Sequence, residues 1–482
     1  MGIGSFFKGL STGKKLILIT LLGFLARLYV VVSAVTVAED SLEYLELAGR
    51  FAQGNILGGL SVHRPPFYPF LAAAASYIFG DTETGGRVIS LIFGTLTIPL
   101  VFYLGKLVYD ERAGVVAAFF ASVHTYMIRY SGDVLTEAMY YFFLALVAIG
   151  ALKALRERSE RWMFAAGLFS LFAYLTKPAG LGFLAVISIW VLFEDPRKIK
   201  EDYKKRLRLV FSGWVVFMAP ALPYLFFIYA RTGRVPFTGT ARIPILELLR
   251  RMMAGVRVWK ALDFIRYFPE AFTYPFFIFF VVWAVRKMRE GTKDAERLLL
   301  SLLAAYWLVI FVVLPRRRYM VQIMPLALVF SSMGFLSFQA WLLGKAKKAG
   351  TLISAALLVL IAAVQLPVGM EPLHAHRLAE KTAGQWFKEN VGQGVSVLTY
   401  EPVMTFYAGG DYVLIPDRKG RVNLEEAVAY GKGMGAQYMA GYRATLREKI
   451  PDFNGGEKRL LTEIKSFGAA DKDEFVIYRI NE

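Results

Sequence analysis

Runs of apolar residues separated by short polar segments dominate the chain up to about residue 370. Several runs hold about 18 or more residues with almost no charge, the length that a helix needs to cross a hydrocarbon core of roughly 30 Å. Lipid offers the backbone no hydrogen-bond partners, so each such run is predicted to be a helix. The pattern predicts about eleven spans, at residues 15–37, 84–108, 112–131, 137–155, 162–177, 179–193, 209–230, 270–286, 297–315, 319–342 and 350–368.

After Glu371 the pattern changes to that of a soluble domain. Helix-like segments at 372–391 and 423–435 alternate with strand-like segments at 395–400, 412–416, 437–442 and 474–480. Such alternation is typical of a small α/β domain. The predicted architecture is therefore mainly α: a polytopic transmembrane helix bundle over residues 1–370, followed by a soluble α/β domain over residues 371–482.

The orientation is predicted from Lys and Arg in the short loops, which face the cytoplasm in membrane proteins. Alternate loops carry these cations, at Lys8 to Lys15, Lys106 and Arg112, Lys153 to Arg161, Arg197 to Arg208, Arg286 to Arg297, and Lys345 to Lys348. The N-terminus is then cytoplasmic, and the outer side receives loops 38–83, 131–136 and 231–269 and the C-terminal domain. This predicts a multi-pass protein of the cell (plasma) membrane, with the first apolar run as a retained anchor.

The outer loop 231–269 breaks the charge rule, because it is rich in arginine. Two explanations stay open: the span count is wrong by one, or these cations serve an anionic ligand on the outer face.

Composition supports the membrane assignment and narrows the chemistry. Of the 482 residues 56% are hydrophobic and only 20% are charged, and the mean hydropathy is +0.46. The absence of cysteine excludes disulfides, zinc–thiolate sites, iron–sulfur clusters and cysteine nucleophiles. The net charge of +18 lies mostly in loops that follow the membrane rule, so we do not expect nucleic acid as a partner.

The first outer loop places two acids, Glu39 and Asp40, directly after the first span. Apolar residues then recur at helical spacing from Tyr44, which predicts a helix along the membrane surface. Asp40 occupies the predicted N-cap position, with Glu43 three residues later as in a capping box. The alternative is a carboxylate at the lipid–water boundary that acts as a general base or metal ligand, and the two roles are compatible.

The same loop continues with His63 and Arg64, which precede the prolines Pro65 and Pro66. Consecutive prolines favour an extended turn that holds the preceding side chains rigidly. Imidazole can bind a metal or move a proton, and guanidinium binds phosphate. A purely structural histidine is an equally good interpretation.

The second outer loop holds Asp133 and Glu137 at a spacing of i and i+4. The two acids share a face if the helix begins before them. Acids in the first turn of a helix also complement its dipole, so both interpretations stay open.

Several cations lie within or at the outer end of predicted spans, where a charge is costly unless it is paired or functional. These candidates are Arg27, Lys177, Arg316, Arg317 and Arg318, the last followed by Tyr319. A side chain that reaches the lipid headgroups explains any one of them, but it explains the group less well. Cations and acids at this boundary suit a phosphate attached to a lipid tail.

These features, in this order, resemble the C-superfamily of membrane glycosyltransferases. The resemblance is to the group that contains the protein O-mannosyltransferases and the bacterial transferase that adds aminoarabinose to lipid A. The matching pieces are Glu39-Asp40, the helix at 45–48, Arg64 to Pro69, Val134 to Glu137, Thr176 to Gly180, and Arg318-Tyr319.

The resemblance implies transfer, with inversion, of a sugar from a polyprenyl-phosphate donor to an unknown acceptor at the outer face. Asp40, beside Glu39, would activate the acceptor hydroxyl, and Asp133 or Glu137 would assist. A divalent metal (Mg, Mn or Zn) would bind His63 with Asp40 or Glu137. The cations named above, with Arg64 and Tyr319, are candidates for binding the donor phosphate, and loop 231–269 would close over the lipid carrier.

One departure from the superfamily concerns the tail, which lacks the Trp-Trp-Asp signature of the oligosaccharyltransferases. Transfer of a whole glycan to asparagine is therefore not expected, and the acceptor can be a protein hydroxyl, a lipid or a glycan. Two alternatives come from other classes: a transporter or flippase for a lipid-linked anion, and a non-catalytic membrane scaffold.

Overall fold

The computed structural model describes residues 10–193, 199–233, 258–313, 316–416, 422–468 and 474–481. The chain divides into two compact units. The first, here the helical unit, comprises Met1–Val32 and Tyr44–Glu371. The second, here the C-terminal unit, comprises Ser33–Glu43 and Pro372–Glu482, so a short segment from the start of the chain belongs to it. Most of the predicted loop 231–269 lies outside the described residues.

The described residues up to 369 form sixteen helices, and the second of these, α2, begins in the segment that belongs to the C-terminal unit. The first eight are α1 (Thr12–Ser33), α2 (Glu39–Ala52), α3 (Phe67–Phe79), α4 (Thr82–Val108), α5 (Glu111–Val123), α6 (Thr125–Tyr130), α7 (Glu137–Glu157) and α8 (Glu160–Thr176). The others are α9 (Gly180–Phe193), α10 (Ile199–Thr232), α11 (Val258–Phe272), α12 (Tyr274–Glu290), α13 (Asp294–Val313), α14 (Arg317–Val321), α15 (Met324–Lys345) and α16 (Lys347–Gly369).

Each predicted span corresponds to one or two of these helices, but the count of eleven stays a prediction. Six helices of the described part are long and apolar enough to cross a membrane: α1, α4, α7, most of α10, α15 and α16. The pair α11 and α12, bent by 104°, would add a seventh if it is one span. Several of the other helices are shorter than a full crossing requires.

Short polar residues explain where several helices begin. Asp81 accepts a hydrogen bond from Thr84 N at 2.8 Å at the start of α4, and Asp110 accepts one from Ala113 N at 2.8 Å at the start of α5. These side chains satisfy backbone N–H groups that have no partner within the helix. His124 interrupts the span predicted at 112–131, because it leaves the helical conformation and caps α6.

Helix α3 lies inside the segment predicted as an outer loop and was not predicted. Its first turn includes Pro69, which is tolerated there because the first N–H groups of a helix need no partner within it. It ends at Gly80, whose φ of 98° favours glycine and whose N–H donates to Ser76 O at 2.8 Å. The prolines Pro65 and Pro66 therefore lead directly into a helix.

The C-terminal unit is built on a five-stranded mixed sheet of order β2-β1-β3-β5-β4. Its elements are α17 (Leu378–Asn390), β1 (Val397–Thr399), α18 (Val403–Ala408), β2 (Tyr412–Leu414), α19 (Leu424–Gly433), β3 (Tyr438–Tyr442), α20 (Arg443–Lys449), α21 (Phe453–Leu460), β4 (Leu461–Phe467) and β5 (Phe475–Ile480). Strand β1 pairs in parallel with β2 and β3, whereas β5 pairs antiparallel with β3 and β4.

Both faces of this sheet are covered. Neighbouring residues of β1 point to opposite faces, so Leu398 enters one apolar cluster with Val476, and Val397 enters the other with Phe387 of α17. The predicted α/β class is confirmed for this unit, and with the helices before it the predicted mainly α fold is confirmed.

Candidate active site

The side chain of Glu137 is the centre of a buried charged cluster in the helical unit. Glu137 lies in the first turn of α7 and is fully buried. Its Oε1 accepts hydrogen bonds from Lys177 Nζ at 2.8 Å and from Arg318 Nε at 2.7 Å. Gln322 Nε2 lies 3.5 Å from the same oxygen. We call Glu137, Lys177, Arg318 and Gln322 the Glu137 cluster.

Three separate segments bring these side chains together. Lys177 follows the last turn of α8, where its N–H donates to Ala173 O at 2.7 Å and Pro178 prevents the helix from continuing. Arg318 and Gln322 are four residues apart at α14, a spacing that places both on one side of a helical turn. The chain therefore joins residues that are 40 and 181 positions apart on one carboxylate.

Within the cluster, one carboxylate oxygen accepts hydrogen bonds from two cations. A third cation, Arg64, is close enough for its charge to act on Lys177. Arg64 also packs over the ring of Tyr44, with its Cζ 5.0 Å from the ring centroid. A buried carboxylate with two cations holds their charged groups in fixed positions, which suits the binding of an anion.

The three consecutive arginines do not act together. Arg318 joins the Glu137 cluster, whereas Arg317 lies over the ring of Tyr126 at 4.7 Å and 3.9 Å from Glu270 Oε2. Arg316 is exposed at the start of α14. The ring of Tyr319 lies 6.0 Å from Lys177 Nζ, so Tyr319 borders the cluster.

Arg27 has a structural role that differs from the predicted one. It is fully buried and its guanidinium donates to Gly23 O at 3.0 Å, Ala121 O at 2.9 Å and Ser131 Oγ at 3.2 Å. It also donates to Ser122 O at 3.1 Å. These bonds tie α1 to the end of α5 and to the turn after α6. The role in phosphate binding predicted for Arg27 stays a prediction, although backbone carbonyls and Ser131 already accept from its guanidinium.

Asp133 and Glu137 do not share a helix face, because α7 begins only at Glu137. Asp133 lies in the preceding turn, and its Oδ1 accepts from Val134 N at 3.0 Å. Both acids are buried, although the segment 131–136 was predicted as an outer loop. The catalytic role of Asp133 stays a prediction.

Glu39 and Asp40 lie in the first turn of α2, in the segment that belongs to the C-terminal unit. The helix begins at Glu39, so Asp40 is inside the first turn and not at the predicted N-cap position. Glu39 forms an ion pair with Arg377, and Asp40 is half-buried. The structure therefore presents the two adjacent acids in different surroundings.

His63 is exposed in the turn that precedes α3. Among the described residues, no group of three His, Asp or Glu side chains is placed to hold a metal ion. The described part of the chain thus supplies no group that fits the predicted metal site, and we derive no step of the reaction through a metal.

Two residues of the site, Tyr44 and Gln322, were not predicted from the sequence. Tyr44 was taken only as an apolar position of the surface helix, but its hydroxyl is within reach of the charges of Arg64, Glu137 and Arg318. Gln322 carries a detectable signal, because it lies one helical turn after Arg318 in an otherwise apolar stretch. Tyr306, whose hydroxyl donates to Gln322 Oε1 at 2.5 Å, has no such signal.

Two buried carboxyls give the C-terminal unit a pH-dependent stability. Burial raises the pKa of Glu380 and of Glu401 to about 7, from 4.5. The folded unit therefore binds protons that the unfolded chain releases, so this contribution is full below pH 4.5 and is lost as the pH rises to about 7. We expect Glu380→Gln to raise the free energy of unfolding at pH 8 by up to about 3 kcal/mol. Thermal unfolding from pH 5 to 8 tests this; an unchanged slope against pH would contradict it.

Residues 63–227 match the model of a family described as dolichyl-phosphate-mannose-protein mannosyltransferase, over about a third of the chain. A comparison with curated proteins gives no match.

Several solved structures have the same fold. ArnT from Cupriavidus metallidurans, bound to undecaprenyl phosphate, is 13% identical with a TM-score of 0.63, over 97% of this chain and 98% of that one. The archaeal oligosaccharyltransferase AglB from Archaeoglobus fulgidus, in complex with an inhibitory peptide and a dolichol-phosphate, is 14% identical with a TM-score of 0.63, over 99% and 75%. An oligosaccharyltransferase of Archaeoglobus fulgidus in complex with Zn and sulfate is 15% identical with a TM-score of 0.61, over 97% and 73%.

The fold and the family match define the class of protein. The chain has the fold of the C-superfamily, and the resemblance stated from its sequence is confirmed. The predicted enzyme class, a membrane glycosyltransferase, is confirmed with it, as is a multi-pass membrane protein.

Proposed function

We propose that this protein transfers a sugar from a polyprenyl-phosphate donor to a hydroxyl acceptor, with inversion, at the outer face of the cell membrane. The observation that carries the proposal is the Glu137 cluster, in which two cations share one buried carboxylate. The family match and the lipid phosphates bound by ArnT and AglB support the same donor class. On this proposal the N-terminus is cytoplasmic and the C-terminal unit is extracytoplasmic.

The charge of the cluster fits the course of this reaction. In the donor, a phosphodiester with one negative charge links the sugar to the lipid. When the bond between the sugar C1 and the phosphate oxygen breaks, the lipid keeps the electron pair and its phosphate becomes a phosphomonoester with up to two negative charges. Lys177 and Arg318 would stabilise this developing charge, because fixed cations in a site that excludes water act strongly on it.

The acceptor hydroxyl forms the new bond to C1 from the opposite face, which inverts the configuration. Its proton must leave as the bond forms, and Asp40 is the proposed general base that takes it. Glu39 forms an ion pair with Arg377 and acts in this scheme as a neighbour of the base, which is Asp40. Asp133 has no role in this scheme.

Glu137 has an anchoring role in the scheme. Its Oε1 accepts from both cations, and its first-turn position on α7 fixes them. The prediction that Glu137 is itself catalytic is therefore replaced by the proposal that it orients Lys177 and Arg318.

A divalent metal is the least supported part of the predicted site. Zn is present in one oligosaccharyltransferase of the same fold, but the described residues of this chain supply no three-ligand group. The assay below is therefore run with and without a chelator. The acceptor is unassigned.

The proposal is tested by following the release of lipid phosphate from a panel of radiolabelled polyprenyl-phosphate sugars. The full chain is used in nanodiscs, with a mixture of protein, lipid and glycan acceptors. We expect release with at least one donor and acceptor together. Movement of a labelled donor between leaflets without release indicates the transporter; neither binding nor release of any donor contradicts the proposal.

Arg64→Ala is expected to weaken donor binding about 10-fold, because a charge-assisted hydrogen bond contributes roughly 1.5 kcal/mol or more. Binding of a labelled donor to the purified variant measures the effect. Arg50→Ala is the matched control, since Arg50 lies on α2 in an exposed pair with Glu46. Equal donor affinity of the two variants would remove Arg64 from the phosphate site.

A further inference from the structure

The segment that carries Asp40 is part of the C-terminal unit, although more than 300 residues separate the two in the chain. Residues 34–38 have no regular secondary structure, yet Thr36 and Val37 are fully buried. An irregular backbone keeps a fixed position only where other elements hold it, because ordering each residue costs roughly 1 to 2 kcal/mol. The contacts that hold this segment therefore determine where the first turn of α2 lies.

Three contacts from the start of the C-terminal part do this. Val35 N donates to Leu373 O at 3.1 Å, and Lys381 Nζ donates to Val35 O at 2.8 Å. The third contact is the ion pair between Arg377 and Glu39. The first two hold the backbone at Val35, four residues before the helix begins, and the third holds the helix at its first residue.

The position and burial of Arg377 suit it to hold the first turn of α2. It ends a short 3-10 turn, Ala375–Arg377, and its side chain is only 18% exposed. Its second carboxylate neighbour, Glu380, is 3.8 Å from Nε. Burial raises the pKa of Glu380 to about 7, so near neutral pH Glu380 competes only in part with Glu39 for the guanidinium. The terminal nitrogen Nη1 of Arg377 is buried without a hydrogen bond. The position of the guanidinium therefore depends on its contacts with Glu39 and Glu380.

The pair acts on Asp40 through the backbone. Successive residues of a helix project about 100° apart, so a contact at Glu39 fixes the turn and leaves the side chain of Asp40 directed elsewhere. A catalytic group must be held to within about 0.5 Å of its productive place, and an error of about 1 Å can cost 10²-fold in rate.

We infer that the C-terminal unit positions the catalytic carboxylate: Arg377, through its ion pair with Glu39, is a positioning residue for Asp40. The inference rests on the role of Asp40 given under the proposed function. It gives the C-terminal domain a part in catalysis.

The test compares Arg377→Ala and Arg377→Lys with the full chain in nanodiscs, using the donor that the release assay identifies. We expect Arg377→Ala to lower kcat by about 10- to 100-fold with the donor KM within about twofold, because binding of the donor phosphate is separate from placement of the base. Hydrogen exchange of residues 33–43 becomes faster in the same variant. Arg377→Lys restores part of kcat, since it keeps the charge.

Arg459→Ala is the matched control. Arg459 forms an ion pair with Glu425 in the same unit, and both side chains are exposed to solvent. This variant keeps kcat and the exchange pattern of the unaltered chain. Glu39→Ala also lowers kcat, and the double variant is no slower than Arg377→Ala alone, because Arg377→Ala already removes the contact with Glu39.

Three results overturn the inference: unchanged exchange in 33–43, faster exchange with unchanged kcat, or a higher KM with unchanged kcat. If Arg377→Ala does not fold, Lys381→Met, which removes the bond to Val35 O, is judged by the same criteria.

Failure of the proposed function gives a different result. If Asp40 is not the general base, the variant Asp40→Asn transfers sugar normally. Hydrogen exchange alone then decides whether Arg377 holds the segment, and the catalytic part of the inference is wrong.

Discussion

Asp40→Asn is expected to lower the rate of sugar transfer by roughly 10²- to 10⁴-fold, the usual contribution of a general base. Asparagine has nearly the same shape as aspartate but cannot accept the proton of the acceptor hydroxyl. Asp40 is half-buried in the first turn of α2, so the neutral side chain fits the same space and the fold is retained. The measurement is release of labelled lipid phosphate in the presence of acceptor, at several pH values.

Glu46→Gln serves as the matched control, because Glu46 lies on the same helix with a side chain that is 59% exposed. We expect this variant to transfer sugar at the normal rate. Normal turnover by Asp40→Asn would remove Asp40 from the chemistry, and a comparable loss in both variants would indicate damage to α2 instead.

The second large effect is expected for Glu137→Ala, through folding stability. Removal of this fully buried carboxylate leaves Lys177 and Arg318 together without their shared counter-ion. Removal of one partner of a buried ion pair commonly costs about 3 to 5 kcal/mol. We expect a lower thermal midpoint and a small yield of folded protein, with weakened donor binding in whatever folds.

The matched control is Glu157→Ala, at the other end of α7, where the carboxylate is 51% exposed and lies 3.9 Å from Lys153. An exposed pair of this kind contributes little, so its thermal midpoint stays within about one or two degrees of the unaltered chain. If Glu137→Ala keeps its midpoint and its donor affinity but loses transfer, Glu137 acts in the chemistry and the anchoring role is wrong.

The sequence allowed the charged members of the site to be predicted, because a charge is rare in an apolar chain. Lys177, Glu137 and Arg318 stand out for that reason. Which charges pair could not be predicted, since the partners are far apart in sequence and meet only when α7, α8 and α14 pack. Arg27 shows the same limit. The sequence indicated that its charge is costly in a membrane span, but not that the carbonyls which accept its hydrogen bonds come from the end of α5.

Local patterns also did not show how the first outer loop divides between the two units. Helix α3 was not predicted, because it begins after two prolines, which favoured a loop. Strand β4 was not predicted either, because it is a largely exposed edge strand and its apolar and polar residues alternate only weakly. The assignment of the segment 33–43 to the C-terminal unit depends on contacts with residues 373 to 381, which no periodicity in either segment reveals.

The long separation within the Arg377–Glu39 pair sets an order of events during synthesis. Glu39 leaves the ribosome 338 residues before Arg377, a delay of roughly 20 to 70 s at ordinary rates of translation. Over that time the membrane helices can insert and meet their lipid substrates while the segment with Asp40 still has no anchor. If Arg377 positions Asp40, a chain that stops after α16 is expected to insert normally but to transfer sugar about 10- to 100-fold more slowly.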